Sequence, residues 1–150
     1  MSTEKSQTIL SRSELDTFKA GYELGKKVLG KTIIGLNGEL GAGKTVFVKG
    51  LADALEVKEL INSPTFLGIN ESYSGKFPLI HMDFYMKVQK EELVRSYLKS
   101  DAVIAIEWIK NFNEIFKSDL NPNINVFIEY MRDKENNIID NERQIKIEWL

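Results

Sequence analysis

The sequence predicts an α/β fold with a central, mostly parallel sheet, antiparallel strands at its edges and flanking helices. Residues 32–36 and 102–106 are short, continuous apolar runs, which is the pattern of strands buried on both faces. A glycine-rich stretch joins the first run to a segment with apolar residues at helical spacing. Residues 124–131 and 144–149 alternate between apolar and polar side chains, as antiparallel strands do.

Length and composition indicate one soluble domain that spans residues 1–150. The chain has 150 residues, 43% of them hydrophobic and 28% charged, which is enough to bury a core. A formal net charge of −2 argues against a general nucleic-acid binder, which has a basic surplus. The absence of cysteine excludes disulfide and thiolate chemistry. The polar N-terminus lacks a signal-peptide core and no apolar run reaches membrane length, so we expect a cytoplasmic protein without membrane partners.

The first part of the chain predicts a short strand at residues 7–10, followed by a helix. Ser11 or Ser13 is the expected N-cap, because acidic residues occupy the turn that follows. The helix is expected to run to about Leu29, since Gly30 ends it. Its expected buried residues are Leu15, Phe18, Tyr22, Leu24 or Gly25, and Val28.

The remaining elements follow from the same periodicities. A helix over residues 45–55 is followed by a connection, and residues 66–73 and 77–85 read as a hairpin around a turn at residues 74–76. The later expected elements are an amphipathic helix at 91–99, the buried strand at 102–106, a polar helix or loop, and two strands at 124–131 and 144–149 linked by the Asp- and Asn-rich residues 133–141.

The glycine-rich stretch matches G-x-x-x-x-G-K-[ST], the phosphate-binding loop of P-loop NTPases, between a strand and a helix as that motif requires. Its residues are Gly38, Glu39, Leu40, Gly41, Ala42, Gly43, Lys44 and Thr45. Glycines let successive N–H groups point at phosphate oxygens, and the positive end of the helix dipole adds to the attraction. Lys44 would reach the β- and γ-phosphates, and the Thr45 hydroxyl would ligate Mg²⁺. The alternative is a chance match in a turn before an ordinary helix; we expect a nucleoside triphosphate site on a P-loop NTPase-like fold.

Two acidic residues, Asp83 and Glu107, stand where predicted strands end. In open α/β sheets the ligand lies outside the carboxyl ends of the strands, so both are candidates to face the phosphates. A P-loop enzyme needs a carboxylate for the magnesium ion and a group that orients or deprotonates the attacking water. The alternative is that both residues merely end their strands.

Other residues have two interpretations each. Thr65, after Pro64, is either a switch residue near the γ-phosphate or a turn hydroxyl. Trp108 is either an aromatic wall beside the nucleotide or a core residue. His81 is the one histidine of the chain, and a lone histidine within a strand favours a structural role. Four lysines fit a solvated surface, namely Lys87, Lys90, Lys99 and Lys110.

Four short motifs occur in an order that resembles one known family. They are residues 39–45 (E-L-G-A-G-K-T), 63–66 (S-P-T-F), 81–85 (H-M-D-F-Y) and 106–108 (I-E-W). The succession is similar to the bacterial TsaE (YjeE) ATPases, which take part in making threonylcarbamoyladenosine in tRNA. The P-loop is common to many families, whereas its combination with the other three motifs is specific, and the resemblance spans nearly the whole chain.

The resemblance implies a set of roles for individual residues. ATP phosphates would bind at Gly41 through Thr45, Mg²⁺ would be served by Thr45, Asp83 and Glu107, and the last two would also act on the water. Thr65 would belong to a switch-like loop, and the resemblance also puts Trp108 and Glu14 beside the nucleotide. The implied partners are the TsaD- and TsaB-type proteins of the threonylcarbamoyl-transferase complex, which ATP would reset, with tRNA involved indirectly.

The chain departs from the family pattern at two residues. Met86 stands where arginine is frequent, and Ile109 stands where proline is usual; the segment between Tyr85 and Glu107 is also short. Because an arginine at the phosphates can be worth roughly 10³ to 10⁵ in rate, we expect slow hydrolysis by the isolated chain, with a partner supplying a cation.

Two other functions remain open from the sequence. A small-molecule kinase uses the same loop, but it generally needs several arginines and a lid, and the four arginines here are scattered: Arg12, Arg95, Arg132 and Arg143. A nucleotide-dependent protein-binding module with vestigial hydrolysis is favoured by the departures at Met86 and Ile109.

Overall fold

The fold is built from seven strands and four helices in residues 5–62, 64, 68–85 and 91–150, which are the residues that this computed structural model describes. The elements in chain order are β1 (Lys5–Ser11), α1 (Glu14–Lys27), β2 (Thr32–Asn37), α2 (Lys44–Ala54), β3 (Ile69–Ser72), β4 (Leu79–Asp83), α3 (Glu91–Leu98), β5 (Val103–Glu107), α4 (Ile109–Ile115), β6 (Ile124–Arg132) and β7 (Ile138–Trp149). The predicted alternation of strands and helices is confirmed.

All seven strands form one sheet in the order β1-β7-β6-β2-β5-β4-β3. The central strands β6, β2, β5 and β4 are parallel, whereas β1, β7 and β3 pair antiparallel at the edges. The predicted α/β class with antiparallel edge strands is therefore confirmed. Because the carboxyl ends of β2, β4 and β5 meet at one edge of the sheet, the loops that follow these strands lie side by side.

The hairpin of β6 and β7 is longer than expected. Residues 138–141, which we expected in the Asp- and Asn-rich link, belong to β7, and the ladder continues past a bulge to pair Arg132 with Ile138. The turn is only residues 133–137, where Asp133 Oδ1 accepts hydrogen bonds from the N–H groups of Glu135 and Asn137. The expected link at 133–141 is thus wrong from residue 138 onward, because the ladder to β6 holds this exposed beginning of the strand despite its Asp and Asn residues.

Helix α1 begins as expected at Ser13, whose hydroxyl accepts a hydrogen bond from the Asp16 N–H at 3.1 Å, but it ends at Lys27. Its expected buried face is partly wrong. Leu15 is 58% exposed, and Phe18 and Tyr22 are only half-buried. Leu24, Gly25 and Val28 are buried as expected, and the other buried residues of the helix are small ones: Thr17, Ala20 and Gly21.

The reason for this difference is the close approach of α1 and α2. A Cβ added at Gly50 of α2 would overlap the carbonyl oxygen of Phe18, and one added at Gly21 of α1 would overlap that of Phe47. The two helices therefore pack backbone against backbone through glycines, which places the larger side chains at the margins of the contact. This packing holds the start of α1 close to the start of α2.

The sheet separates two hydrophobic clusters. Helices α1 and α2 cover the face that carries Leu79, Val103 and Ala105, and the opposite face carries Ile104 and Ile106 beneath α3 and α4. Successive side chains of a strand point to opposite faces, so the residues of β4 and β5 that alternate with those of the second cluster point toward α2, the helix that follows the P-loop. Within the described residues, no helix is long and apolar enough to cross a membrane.

Candidate functional site

The loop between β2 and α2 has the backbone conformation that its glycines permit. Gly41 and Gly43 adopt positive φ angles of 79° and 114°, which side-chain-bearing residues rarely adopt. Lys44 is the first residue of α2, so the last peptide groups of the loop run into the positive end of the helix dipole. The Ala42 N–H donates to the Glu39 carbonyl at 3.1 Å, which closes the turn of the loop.

A cavity of about 630 Å³ lies over this loop. It is lined by the P-loop, the start of α1, the β7 strand of the β6–β7 hairpin and the ends of β4 and β5, and we call it the main cavity. Its lining residues are Ser13, Glu14, Thr17, the run from Leu40 to Val46, Pro64, Asp83, Glu107, Asp140, Asn141 and Arg143. The structure thus brings together predicted site residues from four separate parts of the sequence, including Glu14.

Lys44 is largely buried at the wall of this cavity, with 6% of its surface exposed. Its Nζ donates to the carbonyl oxygen of Gly38 at 2.5 Å and lies 3.7 Å from Glu107 Oε1. The ammonium also stands over the Trp108 ring, 4.9 Å from the ring centroid, which is a cation–π distance. One positive charge is therefore held between a carbonyl, a carboxylate and an aromatic face.

Glu107 is buried at the end of β5, and a carboxylate without partners in such a place would be costly. Its Oε1 faces Lys44, and its Oε2 lies 2.6 Å from Nε2 of His81, which is itself 1% exposed. The interpretation of His81 as a purely structural residue missed this contact. The available signal was the spacing in H-x-D, since alternate residues of a strand share a face.

Asp83 is half-buried at the end of β4, directly across from Glu107 in the parallel ladder. Its Oδ1 accepts a hydrogen bond from the Tyr85 N–H at 2.9 Å. Burial raises the pKa of the Asp83 carboxyl above its ordinary value, and the negative charge of Glu107 raises it further. Two carboxyl groups that repel each other at the cavity wall are an arrangement that a cation relieves.

The side-chain oxygens at this cavity suit Mg²⁺, which phosphate and water also bind, better than they suit a metal ion that only protein ligands hold. Among the described residues, no group of three or more His, Cys, Asp or Glu side chains could hold a metal ion. Magnesium is typically bound by one or two carboxylates, with phosphate oxygens and waters completing the octahedron. Asp83, Glu107 and the Thr45 hydroxyl, which lines the same cavity, match that pattern.

Two side chains of the β6–β7 hairpin hold the outer side of the P-loop. Tyr130 Oη donates to the carbonyl oxygen of Leu40 at 3.2 Å, and Arg143 Nε donates to that of Ala42 at 3.1 Å. The Arg143 guanidinium also lies over the Tyr130 ring, 4.2 Å from its centroid. Because C=O and the next N–H point in opposite directions across a trans peptide, these bonds aim the N–H groups of Gly41 and Gly43 away from the hairpin. We call Tyr130 and Arg143 the hairpin clasp.

The sequence did not reveal the hairpin clasp, because its four arginines are scattered along the chain. Arg143 lies 101 residues from Ala42 along the chain, and no local pattern signals the contact. Only the antiparallel pairing of Tyr130 with Arg143 puts both side chains against the loop.

Trp108 faces Lys44 but is not among the residues that line the main cavity. It adopts a left-handed conformation with φ of 61° immediately before α4, and its ring packs on Tyr85 with centroids 4.8 Å apart. It lines a second cavity of about 470 Å³, together with Gly38, Glu39 and Lys110. Both interpretations of Trp108 therefore have support, since the residue packs against the second hydrophobic cluster and also faces the P-loop lysine.

The remaining predicted residues are placed as follows. Leu40 is exposed at the tip of the loop, and Thr45 and Glu14 lie at the beginnings of α2 and α1, where both line the main cavity. Thr65 and Met86 lie outside the described residues.

A glycine loop between a buried strand and a helix, in a sheet whose central strands are parallel, defines an α/β protein of the P-loop class. The overall fold is also that of a crystal structure of YdiB from Bacillus subtilis, with a TM-score of 0.77 over 99% of this chain and 88% of that chain at 24% identity. At this level of identity the likeness concerns the fold alone.

Sequence comparisons give the family. Residues 11–145 match the family model of the threonylcarbamoyl adenosine biosynthesis protein TsaE. The chain is 40% identical over 102 residues to the tRNA threonylcarbamoyladenosine biosynthesis protein TsaE of Aquifex aeolicus, covering 67% of this chain and 74% of that protein. The TsaE protein of Nostoc is 34% identical over 116 residues, or 72% and 71% of the two chains, and that of Bacillus subtilis is 44% identical over 78 residues, or 51% and 49%. The chain belongs to the TsaE family, whose members take part in threonylcarbamoyladenosine biosynthesis.

Proposed function

We propose that this chain binds ATP with Mg²⁺ and hydrolyses it to support the threonylcarbamoyl-transferase complex that forms N6-threonylcarbamoyladenosine in tRNA, next to the anticodon. The observation that carries the proposal is the main cavity. It is lined by the P-loop and combines one buried ammonium, that of Lys44, with two carboxyl groups, those of Asp83 and Glu107. Membership of the TsaE family supports the biological setting.

The triphosphate is bound by the main-chain N–H groups of Gly41 through Thr45 and by Lys44. The proposal is supported by the positive φ angles of the two loop glycines and by the helix dipole behind them. Thr45, Asp83 and Glu107 would hold Mg²⁺, which neutralises charge on the β- and γ-phosphates when it is bound. On the family resemblance, Glu14, which lines the main cavity at the start of α1, and Trp108, whose ring faces Lys44, flank the nucleotide.

Hydrolysis requires a water whose oxygen attacks the γ-phosphorus while the bond to the β-phosphate oxygen breaks and ADP leaves. Glu107 is the better candidate to orient this water and take its proton, since it is fixed by His81 and Lys44. Asp83 is the better candidate for a metal ligand, because it is half-exposed toward the cavity. Thr65 remains a proposed switch residue, on the family resemblance alone.

A partner is proposed to complete the site. Arg143 is the one arginine that lines the main cavity within the described residues, and its Nε and Nη1 donate to main-chain carbonyls of Ala42, Asp140 and Glu142. A guanidinium committed in this way is a structural support rather than a free cation for the γ-phosphate. We therefore assign the missing positive charge to the proposed TsaD- and TsaB-type partners. The complex would act in the cytoplasm, and this chain would be linked to tRNA only indirectly, through those partners.

The same observation favours a second candidate, a nucleotide-dependent binding module without significant hydrolysis. Without a mobile cation at the phosphates, ATP could order the cavity wall for a partner while turnover stays negligible. Both candidates predict tight binding of Mg²⁺ and ATP, and they differ in phosphate release.

Phosphate release separates the candidates. The purified chain is incubated with ATP and Mg²⁺, alone and then with TsaD- and TsaB-type proteins, with Lys44→Ala as the control for contaminating ATPases. Release that depends on the partners and on Lys44 supports the ATPase. Tight binding without release supports the module, and transfer of phosphate to a small acceptor indicates a kinase. The tRNA nucleosides of cells depleted of the chain test the biological role, since threonylcarbamoyladenosine should disappear.

A further inference from the structure

His81 and Glu107 form a buried pair on neighbouring parallel strands. The ladder pairs His81 with Ala105 and Asp83 with Glu107, so the imidazole reaches diagonally along the face of the sheet toward the carboxylate. Nε2 of the ring lies 2.6 Å from Glu107 Oε2, and the two side chains are 2% and 6% exposed. A carboxylate oxygen only accepts, so Nε2 carries the proton in this bond.

The polar contacts of His81 serve Glu107 alone within the described residues. Its other ring nitrogen, Nδ1, is buried and has no hydrogen-bond partner there. Leaving a buried polar atom without a partner costs about 1–3 kcal/mol, and Leu79, the preceding residue of the strand on the same face of the sheet, is buried and apolar. A residue retained for packing alone would be apolar, so stability does not account for a histidine here.

The consequence of the bond is a carboxylate with two distinct oxygens. Oε2 is hydrogen-bonded to the imidazole, and Oε1 points toward the Lys44 ammonium, which lies 3.7 Å away at the cavity wall. We propose that His81 is a positioning residue for hydrolysis: its Nε2–H fixes the Glu107 carboxylate so that Oε1 faces the phosphate cavity. This inference rests on the proposed function, in which Glu107 orients the attacking water.

Three variants test the proposal in the intact chain with its partners. His81→Ala removes the donor, and His81→Gln restores an N–H donor at about the reach of Nε2. Ile80→Ala is the matched control, because it truncates a buried side chain of the same strand on the opposite face of the sheet. Each variant is measured for partner-dependent phosphate release, KM, binding of ADP and thermal unfolding.

We expect His81→Ala to lower kcat by roughly 10- to 100-fold, the usual loss when a group that orients a functional residue is removed. KM and the affinity for ADP should change less than about twofold, and His81→Gln should recover most of kcat. Ile80→Ala should lower the unfolding temperature but keep the parental kcat. A parental kcat in His81→Ala, or equal losses in His81→Ala and His81→Gln, would overturn the proposal.

A spectroscopic measurement separates failure of this inference from failure of the proposed function. The chain has one histidine, so isotope-labelled histidine gives a single Nε2–H resonance in NMR. A carboxylate partner protects that proton from exchange, and Glu107→Ala should abolish the protection. If the parental chain releases no phosphate with its partners, the proposed function fails and His81 cannot position a hydrolytic group. If phosphate is released but the proton is unprotected, only the His81 proposal fails.

Discussion

Arg143 donates a hydrogen bond from Nε to the carbonyl oxygen of Ala42, 3.1 Å away, and so joins β7, the last strand along the chain, to the P-loop. The bond holds the Ala42–Gly43 peptide with its N–H turned away from the hairpin. Because the hairpin clasp acts before any ligand binds, it contributes preorganisation of the loop.

Replacing Arg143 by alanine should weaken binding of ATP with Mg²⁺ by about tenfold or more, the cost of losing a hydrogen bond from a charged donor. Calorimetric titration with the nucleotide measures this loss. Arg132→Ala is the control, since Arg132 lies on the same hairpin but donates to the Asn136 carbonyl in the turn. Equal affinities for Arg143→Ala and the parental chain would show that the clasp does not organise the loop.

The Lys44→Ala variant should lose nucleotide binding, because it removes the main cation that faces the phosphates. Titration with ATP and Mg²⁺ checks this directly. Lys49→Ala, which alters an exposed lysine of the same helix, should bind as the parental chain does. Unchanged affinity in Lys44→Ala would contradict the assignment of the phosphate site.

Changing Glu107 to alanine should leave nucleotide binding in place while phosphate release falls by roughly 10² to 10⁴, the usual contribution of a proton-transfer group. Glu107→Gln is the companion variant, since its amide oxygen can still accept the hydrogen bond from His81 and keep the buried contact. Both should lose turnover if the carboxylate charge matters. Hydrolysis at the parental rate in either variant would remove Glu107 from the mechanism.

The raised pKa of Asp83 has a consequence for stability that depends on pH. The folded chain holds the proton of the Asp83 carboxyl more tightly than the unfolded chain, in which the pKa of this group is near 3.8. The free energy of unfolding therefore falls as the pH rises from about 3.8 through the raised pKa of the folded chain. Asp83→Asn should therefore increase the unfolding temperature at neutral pH in the presence of a chelator, and the gain should disappear below the ordinary carboxyl pKa.

Thermal unfolding of Asp83→Asn across this pH range is the measurement, and Asp101→Asn, at an exposed residue, is its control. The Tyr85 N–H bond can persist to the asparagine oxygen, which keeps the local backbone intact. A loss of stability at neutral pH as large as at acid pH would contradict the raised pKa that burial gives the Asp83 carboxyl.

Gly50→Ala should lower the free energy of unfolding by about 1–3 kcal/mol or more, despite the better helix propensity of alanine. The added Cβ would overlap the Phe18 carbonyl oxygen of α1, so the two helices must separate. Chemical denaturation measures the change, with the exposed Asp53→Ala of the same helix as control. A variant as stable as the parental chain would show that the helix contact yields easily.

The sequence by itself determined the α/β class, the P-loop between β2 and α2, and the two carboxylates at the strand ends. These features depend on the local periodicity of apolar residues and on a motif whose residues are adjacent in the chain, so a short stretch of sequence suffices to identify each of them. The extent of β7 could not be read in the same way, because none of its first residues, 138–143, is buried and the ladder to a partner strand holds them instead.

Tertiary structure alone decided three contacts: His81 with Glu107, Arg143 with Ala42, and Gly50 with the backbone of α1. Each joins residues that are 26 or more positions apart, and strand order or helix packing brings them together. A linear pattern carries no information about which strands become neighbours, since that choice follows from burying both faces of the sheet at once.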